Sequence, residues 1–208
     1  MPPSRKPRGA IAFKAHTGWA YAVVLAETDG GIQIAAKRRV DMLHTFETAA
    51  VYHVGHERGL SVEEAQPIID TAARASLAAA KTAIAALAES TADRCTLQSA
   101  AILIGSGKPL PPLEVILRSH PLVHTAEGEL YRDAVARACE ALGIPVVRLP
   151  AKDLDKRAKT ALSTSESRMR AQLDAAGKAS GRPWGAEQRE CAIAAWIALA
   201  TKATAAPA

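Results

Sequence analysis

Hydrophobic and polar positions over the first forty residues follow a pattern that predicts strands. Apolar and β-branched residues fill 10–26 in two short runs, interrupted by His16, Thr17 and Gly18, and the turn sequence TDGG at 28–31 precedes a third run at 32–40. Gly and Asp-Gly tolerate the positive φ that tight hairpin turns require. The pattern therefore predicts an antiparallel meander of three strands.

Apolar positions recur every three or four residues from about 45 to 90, which is helical spacing and predicts a helical insertion. A first helix is expected to end near Gly59, and Ser61 followed by Glu64 predicts a capping box for a long alanine-rich helix. The apolar stripe of that helix suits packing on the sheet or against a second copy of the chain. Its members are Ile69, Ala73, Leu77, Ala80, Ile84 and Leu87.

The second half of the chain predicts a parallel β-α-β unit. The continuous apolar run 99–104 is typical of a buried strand, and a second strand, PVVRL, follows at 145–149. Between them we expect a short helix at 113–119, a break at His120 and Pro121, and a helix capped by Thr125. A largely apolar helix at roughly 185–202 closes the predicted order.

Polar side chains are densest at 119–129, where the break and the helix start lie. His120 or His124, activated by Glu127, has the residue types of a general base, and these three are the candidate catalytic residues. The alternative is structural: His124 and Glu127 cap the helix, and His120 packs beside Pro121.

A glycine loop follows the first parallel strand. Its residues are Gly105, Ser106, Gly107 and Lys108. Backbone N–H groups and the lysine ammonium can hold a phosphate or carboxylate, and ligands of α/β sheets gather at the carboxyl ends of strands. A plain turn is the alternative.

Two histidines in the insertion, His53 and His56, precede Glu57 in an HxxHE string. Residues three apart share a helix face, so the string is a weak metal-site pattern, and incidental surface histidines are the alternative. We predict no metal ligands and no cofactor.

Charge and cysteine content limit the partners and the compartment. The net charge of +5 favours nucleic acid or a phosphorylated ligand, and basic residues concentrate in 1–9 and 151–183, which we expect to be a disordered arm and a partly mobile segment. Three cysteines far apart do not form a disulfide framework. Without an apolar run long enough for a bilayer, the sequence predicts a cytoplasmic protein with no membrane contact.

Four segments resemble the ribonuclease H-like superfamily, in particular RuvC-type Holliday-junction resolvases. IAFKAHTGWAYAVV resembles the first hairpin and AAILIG the fourth strand; GELYRDAVARACEALGIPVVRLPAKDLDK is similar to a helix and the following strand, and ECAIAAWIALA to the last helix. The resemblance implies an α/β fold with a mixed sheet, in which three antiparallel strands precede parallel strands. A single domain over 10–204, with a helical insertion at about 45–90, is expected.

The family holds two metal ions with carboxylates from the first strand, the fourth strand and the last helix. At the matching positions this sequence has Lys14, then Gly105 with Ser106, then Cys191 beside Glu190. A lysine repels Mg²⁺, so the family's nuclease activity is not transferred. The same fold implies instead an anion-binding cleft in which Lys14 and His16 lie near Ser106 and Lys108 and near the histidines of 119–129.

Three functions follow as hypotheses. The first is a non-catalytic or divergent ribonuclease H-like protein that binds nucleic acid. The second is a hydrolase or phosphoryl-type enzyme that uses His120, His124 and Glu127. The third is an interaction protein that forms a homodimer through its long alanine-rich helix.

Overall fold

The computed structural model describes residues 6–105 and 107–204, with side chains as far as Thr201. Five strands form one sheet in the order β3-β2-β1-β4-β5. The strands are β1 Arg8–His16, β2 Trp19–Thr28, β3 Gly31–Asp41, β4 Thr96–Ile104 and β5 Val146–Pro150. β2 pairs antiparallel with β1 and β3, whereas β4 pairs parallel with β1 and β5. The predicted α/β class with its mixed sheet is confirmed.

Helices fill the two long connections between strands and the segment after β5. Between β3 and β4 lie α1 Phe46–Ala49, α2 Val51–Glu57 and α3 Val62–Ser90. Between β4 and β5 lie α4 Leu113–Leu117 and α5 His120–Ala141. After β5 come α6 Leu154–Leu162, α7 Glu166–Ala179 and α8 Ala186–Thr204.

Two hydrophobic cores lie on opposite faces of the sheet, and alternate residues of β1 enter each of them. Ile11 and Phe13 pack with residues of α3 and α5. Ala10 and Ala12 pack with residues of α6, α7 and α8. All four are fully buried, so β1 is the central strand of the domain.

The turn between β1 and β2 also fixes the end of β3. The carbonyl oxygen of Gly18 accepts hydrogen bonds from the amides of Met42 at 2.8 Å and Leu43 at 3.0 Å. Gly18 has a φ of +81°, and a Cβ there would lie 2.6 Å from the carbonyl oxygen of Leu43. Only glycine therefore permits this approach, after which the chain enters α1 and α2.

The long helix α3 begins as predicted. Ser61 is its N-cap, and the reciprocal bonds of a capping box join Ser61 and Glu64. Its apolar stripe packs into the same core as α5, with Ile69, Ala80, Ile84 and Leu87 buried. The stripe therefore covers the sheet, and the homodimer stays a prediction.

One predicted helix start is wrong. α5 begins at His120, after Ser119 at the N-cap, and Thr125 lies inside it with its hydroxyl donating to the carbonyl of Pro121. The predicted break fails because a proline in the first helical turn lacks only an N–H that has no intrahelical partner. The earlier start places His120, His124 and Glu127 on one face of α5.

The basic segment is largely helical, and two residues of the predicted arm belong to a strand. Residues 151–183 form α6 and α7, because apolar residues three or four apart, such as Leu154 and Ala158, enter a core. Arg8 and Gly9 already belong to β1, where Arg8 forms an ion pair with Glu27. Residues 1–5 of the predicted arm lie outside the described residues.

Among the described residues, every helix is too short or too polar to span a membrane. Cys95, Cys139 and Cys191 are buried free thiols. Burial raises the pKa of Cys139 to about 12, so this thiol stays protonated at neutral pH.

The close packing of α7 on Trp184 gives a stability prediction. A Cβ at Gly177 would lie 2.1 Å from the Trp184 ring, whereas a Cβ at Gly128 in α5 would meet only the flexible end of Arg132 at 3.0 Å. Gly177→Ala is expected to lower the free energy of unfolding by about 1–3 kcal/mol. Gly128→Ala, with the same intrinsic gain in helix propensity, is the matched control and should change it by no more than about 1 kcal/mol. Urea unfolding measures both, and equal effects would contradict the prediction.

Candidate functional site

The carboxyl ends of the parallel strands β1, β4 and β5 lie side by side at one end of the sheet, which we name its carboxyl edge. Phe13 of β1 pairs with Ile102 of β4, which pairs in turn with Arg148 of β5. The strands therefore end beside one another, at the edge where α/β sheets place their ligands. Two groups of polar residues lie there, one on each face of the sheet.

The first group surrounds Lys14 near the end of β1. Its Nζ lies 2.8 Å from Oε2 of Glu190 and 3.8 Å from Oε1 of Glu187, both on α8. Glu187 also contacts Nε2 of His16 at 2.8 Å, and the His16 ring stacks on Trp19 at 4.2 Å between centroids. The two carboxylates thus share the ammonium of Lys14, and Glu187 also contacts the imidazole of His16.

The carboxylates around Lys14 affect its pKa. Partial burial lowers that pKa, but the hydrogen bond and the charge of Glu190 outweigh the burial, so it lies above its ordinary value. Lys14 is therefore charged at neutral pH and offsets part of the negative charge of the two α8 carboxylates. The end of β4 adds Gly105, which has no side chain. These residues do not fit the pair of metal ions that the family holds here.

The second group is a histidine cluster on the opposite face, formed by His53 of α2 with His120 and His124 of α5. Nε2 of His53 lies 3.2 Å from Nδ1 of His124, whose Nε2 lies 2.9 Å from Nε2 of His120. The ring centroids of His53 and His124 are 4.4 Å apart and nearly perpendicular. The three rings therefore form a chain that runs from α2 to the first turn of α5.

Glu127 supports this cluster from within the core. Its Oε2 accepts from Nδ1 of His53 at 2.7 Å, and its side chain is 1% exposed. Burial raises the pKa of Glu127, and the hydrogen bonds from His53 oppose that rise without cancelling it. Desolvation and the neighbouring His53 and His120 lower the pKa of His124, which is neutral at pH 7.

His56 lies next to the cluster without joining the chain of rings. Its Nδ1 donates to the carbonyl oxygen of Leu117 at 2.7 Å, and its ring centroid is 5.8 Å from that of His120. The HxxHE string thus divides between two tasks. His53 joins α5, and His56 ties α2 to the end of α4.

The predicted anion-binding and catalytic residues separate into two places. Lys14 and His16 lie on the α8 face, whereas His120, His124 and Glu127 lie on the α5 face. Among the described residues, no hydrogen bond or ion pair joins these two sets. Gly105, Gly107 and Lys108 are exposed in the loop after β4, and Ser106 lies outside the described residues.

Two features of these groups were not predicted from the sequence. Glu187 and Glu190 are three residues apart in α8, so both carboxylates lie on one face of the helix. This spacing is visible in the sequence and could have indicated the pair. Glu127 was predicted to activate His120 or His124, but its hydrogen-bonded partner is His53. That contact joins two elements far apart in sequence and leaves no local pattern.

A basic surface extends from the same edge over α6 and α7. Of the eight basic residues in 151–183, only Arg170 forms an ion pair in the described part of the chain, with Asp155 and Glu166. The third paired acid of the segment, Asp174, binds Arg189. The other seven basic side chains are exposed: Lys152, Lys156, Arg157, Lys159, Arg168, Lys178 and Arg182.

Comparison with known proteins identifies the fold. No protein-family model matches the sequence, and no curated protein is similar to it. Two solved structures of RuvC from Thermus thermophilus do match, and one of them is in complex with a Holliday junction substrate. Each has a TM-score of 0.52 at 9% identity and covers 95% of this chain and 96% of the other. The chain therefore has the ribonuclease H-like fold of RuvC, as its sequence predicts.

The ion pair at Lys14 gives a prediction about metal binding on the α8 face. Lys14→Asp replaces the shared cation with a third carboxylate, so Mg²⁺ should raise the melting temperature of this variant by relieving repulsion. Lys14→Gln removes the same charge without adding a ligand and should respond less. Thermal unfolding with and without Mg²⁺ measures the effect. An equal Mg²⁺ response in the wild type would show that Lys14 does not block the site.

Proposed function

We propose that the protein binds nucleic acid through the basic surface at the carboxyl edge of its sheet, and that it does so without the metal-dependent cleavage of the resolvase family. The absence of metal-dependent cleavage is inferred from Lys14, whose ammonium forms ion pairs with Glu187 and Glu190 of α8. An ammonium fixed there repels the cations that such cleavage requires.

The fold and the charge distribution support nucleic-acid binding. RuvC from Thermus thermophilus, which shares the fold over 95% of this chain, has been captured with a Holliday junction substrate. Phosphate contacts from lysine and arginine supply most of the non-specific affinity for nucleic acid. The exposed side chains of α6 and α7 provide such contacts with few acidic competitors.

α6 presents its charges in a suitable arrangement. Leu154 and Ala158 are buried one helical turn apart, so Lys156, Arg157 and Lys159 project from the remaining surface. Lys156 and Arg157 line a cavity that reaches β5 and α8. A phosphate backbone along the sheet edge would meet these side chains first.

Charge reversal on α6 tests this proposal. The double variant Lys156→Glu/Arg157→Glu should bind a labelled four-way DNA junction, a DNA duplex and an RNA hairpin at least about tenfold more weakly, with its slope of log affinity against log salt reduced by about two. Fluorescence anisotropy at several salt concentrations measures both quantities.

The matched control lies on the other face of the sheet. Arg74→Glu/Lys81→Glu makes the same change of net charge on exposed positions of α3 and should bind nearly as the wild type does. Equal losses in the two double variants would show that total charge, not the α6 surface, controls binding. No binding of the wild type to any of the three probes at low salt would refute the proposal.

A second candidate function is hydrolysis at the histidine cluster, favoured by the hydrogen-bonded chain from Glu127 through His53 and His124 to the exposed His120. Such a chain can hold an imidazole in one tautomer for general-base work. A chromogenic phosphodiester tests this function. Turnover that His120→Ala abolishes would support it, and an inactive wild type or an unaffected variant would dismiss it.

A further inference from the structure

We propose that His53, His120 and His124 bind one Zn²⁺ ion, and that Glu127 orients His53 for it from behind. This site lies on the α5 face of the sheet. Zinc binding there does not depend on the proposed nucleic-acid surface.

The spacing of the nitrogen atoms fits the ion. One donor atom from each histidine lies within 4.8 Å of the other two. Nδ1 of His124 lies 3.2 Å from Nε2 of His53, whereas the opposite nitrogen of the ring, Nε2, lies 2.9 Å from Nε2 of His120. One imidazole gives one nitrogen to an ion, so the exposed ring of His120 or His124 must rotate to bring three donors to the roughly 3.3 Å spacing that tetrahedral Zn–N bonds of about 2.0–2.1 Å require.

Two helices supply these ligands. His120 and His124 are one turn apart on α5, a spacing that places both imidazoles on one face and recurs in helical zinc sites. α2 brings His53, which is 71 residues from His124 in sequence, against that face. Together with the neighbouring His56, these three make four of the six histidines of the chain that lie in this region.

The tautomer of His53 is set for metal binding. Because Nδ1 of His53 donates to Glu127, its proton is on that atom and the lone pair of Nε2 faces His124. A carboxylate that accepts from the distal nitrogen of a liganding histidine fixes the ring and increases its basicity. Glu127 is thus a positioning residue.

The buried carboxylate itself points to a cation. Glu127 is almost fully buried, and His53 is its only side-chain hydrogen-bond partner in the described part of the chain. A buried carboxylate is costly unless a positive charge compensates it. A divalent ion on the far side of the His53 ring supplies that charge, and no lysine or arginine among the described residues forms an ion pair with Glu127.

The class of ion follows from the donors. Three imidazole nitrogens without a carboxylate ligand suit Zn²⁺ and the late transition metals, whereas Mg²⁺ and Ca²⁺ prefer oxygen. His120 and His124 are exposed, so a fourth position is open to solvent. Zinc sites with three protein ligands and one open position bind water or a substrate there.

A chain of neutral imidazoles is the competing explanation. His120 can donate to His124, His124 to His53 and His53 to Glu127, which accounts for the same distances without a metal. Metal titration separates the two explanations, because the hydrogen-bonded chain alone binds no zinc.

Calorimetric titration of the chelator-treated chain without a histidine tag tests the proposal. We expect one Zn²⁺ per chain and no response to Mg²⁺. His120→Ala and His124→Ala should each weaken Zn²⁺ binding at least about tenfold, and Glu127→Gln about ten- to a hundredfold. His44→Ala is the matched control, because it removes an exposed histidine outside the cluster and should bind as the wild type does.

Spectroscopy keeps the test independent of folding defects. His120 is exposed in the first turn of α5, so His120→Ala leaves the core intact, and circular dichroism checks this. Co²⁺ in the wild type should give the visible absorption of a tetrahedral ion, and His120→Ala should lose it. Absence of Zn²⁺ binding, or binding that the folded His120→Ala and His124→Ala variants retain, would overturn the proposal.

Discussion

The alternation of side chains along β1 controls the arrangement of the whole molecule. Because β1 pairs with β2 on one side and β4 on the other, its backbone is satisfied within the sheet and its residues reach only the two faces. Phe13 enters the core beneath α3 and α5, and Lys14, the next residue, reaches α8 on the opposite face. The two polar groups at the sheet edge are therefore separate, with the Lys14 group on the α8 face and the histidine cluster of α2 and α5 on the opposite face.

On the α8 face an organic cation lies among carboxylates. The ammonium of Lys14 forms ion pairs with both Glu187 and Glu190 and offsets part of their negative charge. In the function proposed above, basic side chains bind a polyanion, and such binding requires no metal ion.

Sequence patterns predicted the sheet, the capping box of α3 and the closing helix, because each depends on local periodicity or on a turn residue. They failed where a local rule has an exception, as at Pro121, which is a helix breaker in the interior but compatible with a first turn. They also failed where two distant elements meet. His120, His124 and Glu127 were selected from one stretch, yet His53, which completes the cluster, lies in the insertion and is recognisable only once α2 packs on α5.

The Gly18 turn affects how a loss-of-function substitution at this position is interpreted. It closes the hairpin two residues after His16 on one face, and its carbonyl holds the segment that leads to α2 and His53 on the other. A side chain at position 18 would displace both at once. The two polar groups share no contact but depend on the same turn, so a substitution at position 18 that disturbs both would not show that they form one site.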